Sequence, residues 1–337
     1  MNAVADDDGI ETLSLLAMPH RRARALVASG APVTLCVNPV EYHGPHLSLH
    51  NDRVVSHGFA RRLARHLDRA GLGGPYLLAG DLEAGVDPVT GPGTRHVSYA
   101  DVRRAVIEAC RSAAELGARR VVLMTFHGSP MHNHAVQAGV DWLTRHGVRA
   151  IAPLVLALDA MIQGDVTGFE AAFTGIADAA ERDEMFRTLP DDFHAGFFET
   201  SVALAVAAEH VSPDHTALPP CSPTRPPRAL LALSRLMGAA GNRRLAGELR
   251  VMAAGLGWMA LRPFPGYTGR PHRASAAAGN VFVNAMLARV EALARHVFLE
   301  DGAPPRPPFA WMKALTLGGL VATPRVPLDA VALDLGS

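Results

Sequence analysis

The sequence predicts an α/β fold, a three-layer α/β/α sandwich around a mainly parallel central sheet. Short β-branched apolar runs at 33–37 and 121–126 alternate with longer segments, such as 54–70 and 101–116, in which apolar residues recur at helical spacing. The connections between these segments are short, which is typical of parallel strands joined by helices. A chain of 337 residues is also long enough to bury a sizeable core.

Each element in the first half of the chain follows from a local pattern. A buried strand is predicted at 33–37, where the apolar run ends at an Asn-Pro pair. An amphipathic helix is predicted at 54–70, because its apolar residues are four apart and a glycine follows. A second strand is predicted at 76–79, a second helix at 101–116 and a buried strand of parallel-sheet type at 121–126.

The second half of the chain is predicted to be richer in helix. In chain order we expect a helix around 136–143, a strand at 148–155, helical residues at 196–210, a helix-rich region at 230–259 and a long helix at 278–298. Charge density rises at 161–192, which indicates an inserted helical segment that serves as a flap over the site. We predict one domain at 1–300, followed at 301–337 by a proline-rich C-terminal tail that packs on the surface or on another subunit.

Charge and cysteine content limit the classes of binding partner and the cellular compartment that we expect for this protein. Lys plus Arg number 32 and Asp plus Glu number 32, so a net charge of zero argues against nucleic acid and anionic membranes and favours a small-molecule substrate. The three cysteines are far apart and lack paired spacing, which fits a reducing cytoplasm. Residues 1–10 are acidic, unlike a secretory leader, and no run of about 18 apolar residues predicts a membrane span.

A metal site is indicated directly after the first buried strand. The run from Glu41 to Asp52 contains two carboxylates and several imidazoles. His127 likewise comes directly after a predicted strand, at 121–126. Because parallel strands end at one edge of a sheet, Glu41, His43 and His127 can converge. Carboxylates and imidazoles without thiolates suit a catalytic zinc, manganese or iron(II) ion.

An ordered set of blocks resembles the creatininase (creatinine amidohydrolase) family. The blocks are Glu41-Tyr42-His43-Gly44-Pro45-His46-Leu47 with Asp52, the Gly93-Thr94 turn, Phe126-His127-Gly128 with Asn133, and His194-Ala195-Gly196-Phe197-Phe198-Glu199-Thr200-Ser201. Together they reach from about residue 33 to residue 201, with a weaker echo at 266–279. No single block is specific, but the ordered set is.

The resemblance implies a creatininase-like fold and a dinuclear centre of two zinc, manganese or iron ions. By resemblance, Glu41 and His127 hold one ion, His43 holds the other, and Asp52 bridges them. His194 resembles the family's catalytic histidine, which would donate a proton to the departing nitrogen. The resemblance also implies a homo-oligomer, commonly a hexamer in this family.

Two departures from the family pattern bear on the site. Creatinine-hydrolysing members have an aromatic residue and a metal-binding glutamate where this chain has Gly128 and Ser129, so the second ion lacks a ligand. We predict Glu199 as the replacement ligand and as a catalytic residue, with support of a ligand histidine as its alternative role. His132 and His134 are less favoured, because they should start the following helix.

The second departure concerns the substrate. Creatinine-specific members have a tryptophan just before the catalytic histidine, where this chain has Leu189-Pro190-Asp191-Asp192-Phe193, so creatinine is not the expected substrate. The leading hypothesis is a metal-dependent amidohydrolase that cleaves a C–N bond of a small amide, formamide or cyclic amidine. The alternatives are a peptidase of a specific short or modified peptide and a non-catalytic metal-binding scaffold. His46 is expected to be structural, and Asn133 to brace the site or touch substrate.

Overall fold

The structure, a computed structural model, describes residues 12–72, 74–321 and 323–332. The acidic segment at 1–10 and residues 333–337 of the predicted tail lie outside the described residues. Within these ranges, no helix combines the length and the apolar composition that crossing a membrane requires.

The central sheet is parallel, with the described strands in the order β1-β3-β2-β4-β5. The strands are β1 (Thr12–Ser14), β2 (Val33–Asn38), β3 (Tyr76–Glu83), β4 (Arg120–Met124) and β5 (Arg149–Ile151). Every residue of β2 is buried, as expected for a strand that is covered on both faces. Its side chains alternate, so Leu35 and Val37 join one apolar cluster and Cys36 joins another.

Helices cover both faces of this sheet. The helices of the described residues are α1 (His20–Ala28), α2 (Asn51–Arg69), α3 (Tyr99–Leu116), α4 (Pro130–Arg145), α5 (Leu154–Gln163), α6 (Ala179–Thr188), α7 (Phe197–Val206), α8 (Arg228–Ala239), α9 (Arg243–Met259), α10 (Ala276–Phe298) and α11 (Met312–Leu315). Helices α1, α3 and α4 share an apolar cluster with Leu35, whereas α2, α7 and α10 share one with Cys36. The predicted three-layer α/β/α sandwich is confirmed.

The strand predicted at 148–155 is wrong beyond Ile151. Strand β5 ends there, and α5 begins at Leu154. Pro153 stands at the start of α5 with φ −64°, which suits the first turn of a helix. A short apolar run does not by itself distinguish a buried strand from a buried helix, and the proline decides it here.

Other boundaries also differ from the prediction, and one of them matters for the site. The helix predicted at 54–70 begins at Asn51, so Asp52 lies in the first turn of α2, where a carboxylate is favoured by the helix dipole. The strand predicted at 76–79 continues to Glu83. Strand β1 and helix α1 were not predicted.

The segment at 161–192 packs against the body of the domain. Within it, a 3-10 turn at Glu170–Phe173 precedes α6, so the predicted inserted segment contains helix but is not helical throughout. Phe173 is buried and its ring lies 5.1 Å from that of Phe197 and 6.3 Å from that of Phe282. A shared aromatic cluster therefore fixes this segment to α7 and α10.

The C-terminal tail also packs on its own chain. The Glu248 carboxylate of α9 accepts the Phe309 N–H at 3.0 Å and the Trp311 indole N–H at 2.7 Å. Further along, the Phe264 carbonyl accepts the Ala332 N–H at 2.8 Å. The alternative expectation, that this tail packs on another subunit, stays a prediction. The division of the chain at residue 300 also stays a prediction.

Candidate metal centre

Six side chains meet beyond the carboxyl ends of β2 and β4. Two come from the loop after β2, one from the first turn of α2, one from the loop after β4, one from the loop before α7 and one from the first turn of α7, namely Glu41, His43, Asp52, His127, His194 and Glu199. All six are buried. The parallel topology accounts for this meeting, because strand ends at one edge deliver their loops to one place.

The ligand atoms form two sets that share one carboxylate. In the first set, His127 Nδ1 lies 2.8 Å from Glu41 Oε2 and 3.5 Å from Asp52 Oδ2. In the second set, His43 Nε2 lies 3.1 Å from Asp52 Oδ1 and 3.3 Å from Glu199 Oε1. The ligand atoms of each set lie within 4.8 Å of one another. Asp52 therefore offers one oxygen to each set, as a bridging carboxylate does.

Backbone carbonyls fix the tautomers of the two histidines. His43 donates its Nδ1–H to the Glu41 carbonyl at 3.1 Å, and His127 donates its Nε2–H to the Val86 carbonyl at 3.0 Å. Each ring consequently turns its other nitrogen toward the carboxylates. A ligand histidine commonly has its second nitrogen held by a hydrogen bond, and both rings have this arrangement.

The carboxylates have oxygens that the protein leaves unsatisfied. Glu41 Oε1 accepts the Val89 N–H at 2.5 Å. When His127 is neutral with its proton on Nε2, Glu41 Oε2 and Asp52 Oδ2 are buried without a hydrogen-bond partner. Leaving such atoms unsatisfied is costly, and a cation would remove that cost. The donor set and these two oxygens fit a pair of divalent ions that share Asp52.

The electrostatics of the centre also favour cations. Burial lowers the pKa of His127, but Glu41 outweighs this effect and raises that pKa to about 9. Burial likewise opposes protonation of His43, yet Asp52 and Glu199 raise its pKa well above the ordinary value. When no ion is bound, the extra protons on these imidazole rings therefore balance the negative charge of the carboxylates. Divalent ions would displace those protons.

Glu199 reaches the centre as the predicted replacement ligand would. Its Oε1 faces His43 and also accepts a hydrogen bond from Asn51 Nδ2 at 2.9 Å, while its Oε2 accepts the Ala195 N–H at 2.5 Å. Both predicted roles, as a ligand and as support for a ligand histidine, are compatible with this geometry.

His194 lies against the second set. Its ring stacks on that of His43 with centroids 4.3 Å apart, and its Nε2–H donates to the Tyr42 carbonyl at 2.9 Å. Burial, followed by the nearby His43, lowers the pKa of His194 to about 4, so the imidazole is neutral at pH 7. Together with Glu41 and His43 it forms a third group of ligand atoms within 4.8 Å, which puts His194 within reach of bound ions.

The less favoured ligands point elsewhere. His132 lies in the first turns of α4, as predicted, with its Nε2 3.0 Å from the Thr125 hydroxyl and its Nδ1 accepting the Val86 N–H at 3.4 Å. Both of its ring nitrogens are therefore engaged. His134 lies beside the backbone of Phe309 and belongs to none of the ligand groups among the described residues.

Other residues of the family blocks support the centre from behind. His46 Nε2 lies 2.9 Å from the Thr200 hydroxyl, a structural contact, as expected. Asn133 donates to the His127 carbonyl at 2.9 Å and so braces the backbone of a ligand. The Thr94 hydroxyl donates a hydrogen bond within its own loop, which fits a turn.

Three residues near His194 were not predicted. Thr268 accepts the His194 N–H at 3.1 Å and donates to Asp192 at 3.1 Å. The Trp258 ring lies 5.2 Å from that of His194. The position of Asp192 in the sequence could have indicated its role, because an acidic residue shortly before a helix commonly caps that helix. Trp258 and Thr268 come from distant parts of the chain, and no local pattern marks them.

The centre opens into a cavity of about 840 Å³. Glu41, His127, His194 and Glu199 line one part of it. The remaining walls come from the 154–169 region, α9, α10 and the C-terminal tail. A substrate in the cavity would therefore contact the centre directly.

Comparison with known proteins agrees with this architecture. A creatininase variant described as the Zn–Zn type has a TM-score of 0.54 and 18% identity, and covers 85% of this chain and 98% of that chain. A structure described as creatininase Mn has a TM-score of 0.52 and 18% identity, with 86% and 99% covered. A putative creatinine amidohydrolase from Bacteroides fragilis has a TM-score of 0.53 and 16% identity, with 85% and 96% covered. At these identities the likeness concerns the fold.

The family assignment comes from the sequence. No curated protein sequence matches the chain. The sequence model of the creatininase family, described as creatinine amidohydrolase, matches residues 17–294, which is most of the chain and includes all six residues of the centre. The chain therefore belongs to the creatininase family and is a hydrolase that acts on carbon–nitrogen bonds other than peptide bonds.

Proposed function

We propose that this protein hydrolyses a C–N bond of a small amide, formamide or cyclic amidine with the help of two divalent ions. The proposed ligands are Glu41, His43, Asp52, His127 and Glu199. The observation that carries the proposal is the position of Asp52, which directs one oxygen toward each of two histidines held by separate strand ends. Zinc, manganese and iron suit this ligand set, and the names of the related structures include zinc and manganese.

The ions would supply Lewis acidity and would lower the pKa of a nearby water toward about 7. The carboxylates of the chain would hold the ions in position. Because the centre is buried, its charges are poorly screened and act strongly on a bound carbonyl. The cavity, in turn, holds the amide carbon beside the centre.

His194 is the proposed proton carrier. Its Nε2–H is fixed on the Tyr42 carbonyl, so Nδ1 is the basic atom. With a pKa lowered to about 4, His194 starts neutral and can take a proton from the attacking water at Nδ1. The same nitrogen then donates that proton to the departing nitrogen, which would otherwise leave as a strongly basic anion. The expected role of His194 as proton donor thus includes a preceding step as base.

The test combines metal analysis with a substrate screen. Purified protein should contain two equivalents of divalent metal per chain, and a chelator should abolish hydrolysis of small amides or formamides. Restoring zinc or manganese should restore it. One tightly held ion with no hydrolysis of any amide, formamide or amidine would favour the scaffold alternative. Hydrolysis of short peptides alone would favour the peptidase.

Assembly and location complete the proposal. By family resemblance we propose a homohexamer acting in the cytoplasm on a small-molecule substrate, without nucleic acid or membrane partners. Sedimentation velocity of the metal-loaded protein would test the assembly, for which a single species of six chains is the expected result.

A further inference from the structure

We infer that the substrate amide carries a bulky apolar group, and that the C-terminal segment of residues 309–321 and 323–326 forms one wall of the space for that group. This inference rests on the function proposed above. The segment is called the C-terminal wall below. It lies beyond residue 294, where the family match ends, so it can give this chain a substrate preference of its own.

The size of the cavity is the first argument. A volume of about 840 Å³ lies near the upper end of the range of roughly 300–1,000 Å³ that is typical of pockets for drug-sized ligands. A substrate with one small ring would leave most of this space to water. A larger substrate would fill the space and would gain from displacing water from apolar walls.

The walls away from the centre are apolar. Leu158 and Phe169 contribute from the 154–169 region, Leu256 from α9 and Val290 from α10, and Val326 belongs to the C-terminal wall. Phe169, Leu158, Val290 and Val326 are mostly withdrawn from solvent. Alkyl and aryl groups suit such walls better than charged or strongly polar groups.

The charged side chains of the cavity already have partners or lie at its mouth. Outside the centre, the charged residues among the described lining residues are Asp87, Asp165, Asp192, Arg289 and Arg325. Arg289 pairs with Asp165 at 3.1 Å, and Asp192 accepts two backbone N–H groups at the start of α7. Asp87 accepts a hydrogen bond from the C-terminal wall, and Arg325 is exposed to solvent. Apart from the centre itself and the exposed Arg325, the described lining residues therefore offer no unsatisfied charge to a charged substrate group.

The C-terminal wall is anchored to the body of the domain at both ends. Glu248 accepts the Phe309 N–H at 3.0 Å at its start, and the Thr323 hydroxyl donates to Asp87 at 2.5 Å near its end. Val326 is buried in a cluster with Tyr42, whose carbonyl holds His194. The wall is therefore built into the site.

Gly128 connects the centre with this apolar space. A Cβ added at Gly128 would lie 3.7 Å from Leu158 Cδ2, an ordinary contact distance, and no closer atom is present among the described residues. A larger residue here would project toward the Leu158 wall. The glycine beside His127 thus keeps the passage between the centre and the apolar space open.

A substrate series tests the inference through activity. Straight-chain alkanamides from two to eight carbons and N-alkylformamides of the same lengths should be compared by kcat/KM with the metal-loaded protein. We expect kcat/KM to rise about fourfold per methylene, the ratio that follows from apolar burial, until the cavity is full. A rise confined to alkanamides places the apolar group on the acyl side, and one confined to formamides places it on the amine side. A flat profile in both series would overturn the inference.

A binding measurement tests the same space without turnover. The apolar fluorophore N-phenyl-1-naphthylamine should bind the wild-type protein with enhanced emission. Leu256→Trp should fill the cavity and weaken binding at least tenfold, while the matched control Leu236→Trp, on the exposed face of α8, should not. Equal binding by wild type and Leu256→Trp would contradict the inference.

The C-terminal wall needs its own pair of variants. Val321 lines the cavity and Leu320 does not, although both side chains are exposed and the residues are adjacent. Val321→Asp should weaken fluorophore binding several-fold and Leu320→Asp should leave it unchanged. Equal effects would remove the wall from the proposal. Fluorophore binding without hydrolysis of any amide would overturn the proposed function and leave the apolar cavity supported, whereas hydrolysis with a flat chain-length profile would do the reverse.

Discussion

Asp52 has a role that no other side chain in the centre shares, because its two oxygens face different histidines at 3.1 and 3.5 Å. A carboxylate in this position belongs to both ligand sets. Its loss should therefore affect both of the proposed ions, whereas loss of a residue from one set should affect one. His194 stands apart from both sets as the proposed proton carrier.

The first prediction separates metal binding from proton transfer. Asp52→Ala should lose both ions, because both sets are left incomplete. His194→Ala should keep two ions and lose about 10²–10⁴-fold in kcat, the range typical of general acid–base groups. Metal content by mass spectrometry and kcat on the best amide measure the two effects. The reverse pattern would refute the assignment of roles.

Glu199 gives the second prediction. Glu199→Gln should lower the metal content from two ions to one, because an amide is a poor substitute for a carboxylate ligand. Glu248→Gln is the matched control, since Glu248 is a buried carboxylate that accepts hydrogen bonds far from the ligand sets. Two ions retained with about 10–100-fold weaker affinity would instead identify Glu199 as a support for His43.

The third prediction concerns the pH dependence of metal binding. His127 has a pKa of about 9 without metal and is therefore protonated at neutral pH, and Asp52 and Glu199 also raise the pKa of His43 well above its ordinary value. Metal must displace these protons, and apparent affinity should rise with pH up to about 9. Titration calorimetry in buffers of different ionisation enthalpy should detect between one and two protons released at pH 7. Zero release would contradict the prediction.

At the scale of elements, helix α7 provides Glu199, one member of the second ligand set. Asp192 accepts the Phe197 N–H at 2.8 Å and the Phe198 N–H at 3.3 Å, and so caps the first turn that holds Glu199. Asp192 also accepts a hydrogen bond from the Thr268 hydroxyl, and that hydroxyl accepts the backbone N–H of His194. One buried carboxylate thus positions a proposed ligand and the proposed proton carrier.

The fourth prediction tests this positioning role. Asp192→Ala should lower stability by about 1–3 kcal/mol, through the lost cap and an unsatisfied partner, and should also lower kcat. Asp178→Ala is the matched control, because Asp178 caps α6 in the same way on the surface. It should reduce stability without changing kcat. Equal kcat in both variants would show that Asp192 acts on stability alone.

At the scale of the whole molecule, the centre joins parts of the chain that packing and a few hydrogen bonds also hold together. Its ligands come from the loops after β2 and β4 and from the helices α2 and α7. Ions bound there would link the sheet to one helical layer. Metal binding should therefore stabilise the folded chain as a whole.

The fifth prediction follows for the metal-free protein. Because the pKa of His127 is about 9 in the folded state and about 6.5 when unfolded, the folded state holds the extra proton between these values. The stabilisation is complete below about pH 6.5 and is lost as pH rises toward about 9. Calorimetry of chelated protein should show Tm falling across this range. At a fixed metal concentration of about 100 times the Kd at pH 7, the protein should gain about 2.7 kcal/mol per ion at that pH. This pH dependence should then be lost, because metal affinity rises as the proton on His127 leaves.

The sequence by itself determined the sandwich and the convergence of Glu41, His43 and His127, because both depend on local patterns. The roles of Asp52, His194 and Glu199 came instead from the resemblance to the creatininase family. Apolar runs of strand and helix type predict the alternation, and residues such as Glu41 and His127 are placed by coming directly after buried strands. The exceptions are also local in origin. The apolar run at 148–155 was ambiguous until the helix beginning after Pro153 was seen.

Only the tertiary structure decided the contacts within the centre and what surrounds it, although Glu199 was already predicted as a ligand. Glu199 meets His43 from 156 positions away, Trp258 meets His194 from α9, and the C-terminal wall returns to line the cavity. Each of these contacts depends on how separate elements pack, and packing is set by the shape and burial of whole helices. Such contacts leave no periodic mark in the sequence, and for that reason the ligand types could be predicted while the form of the pocket could not.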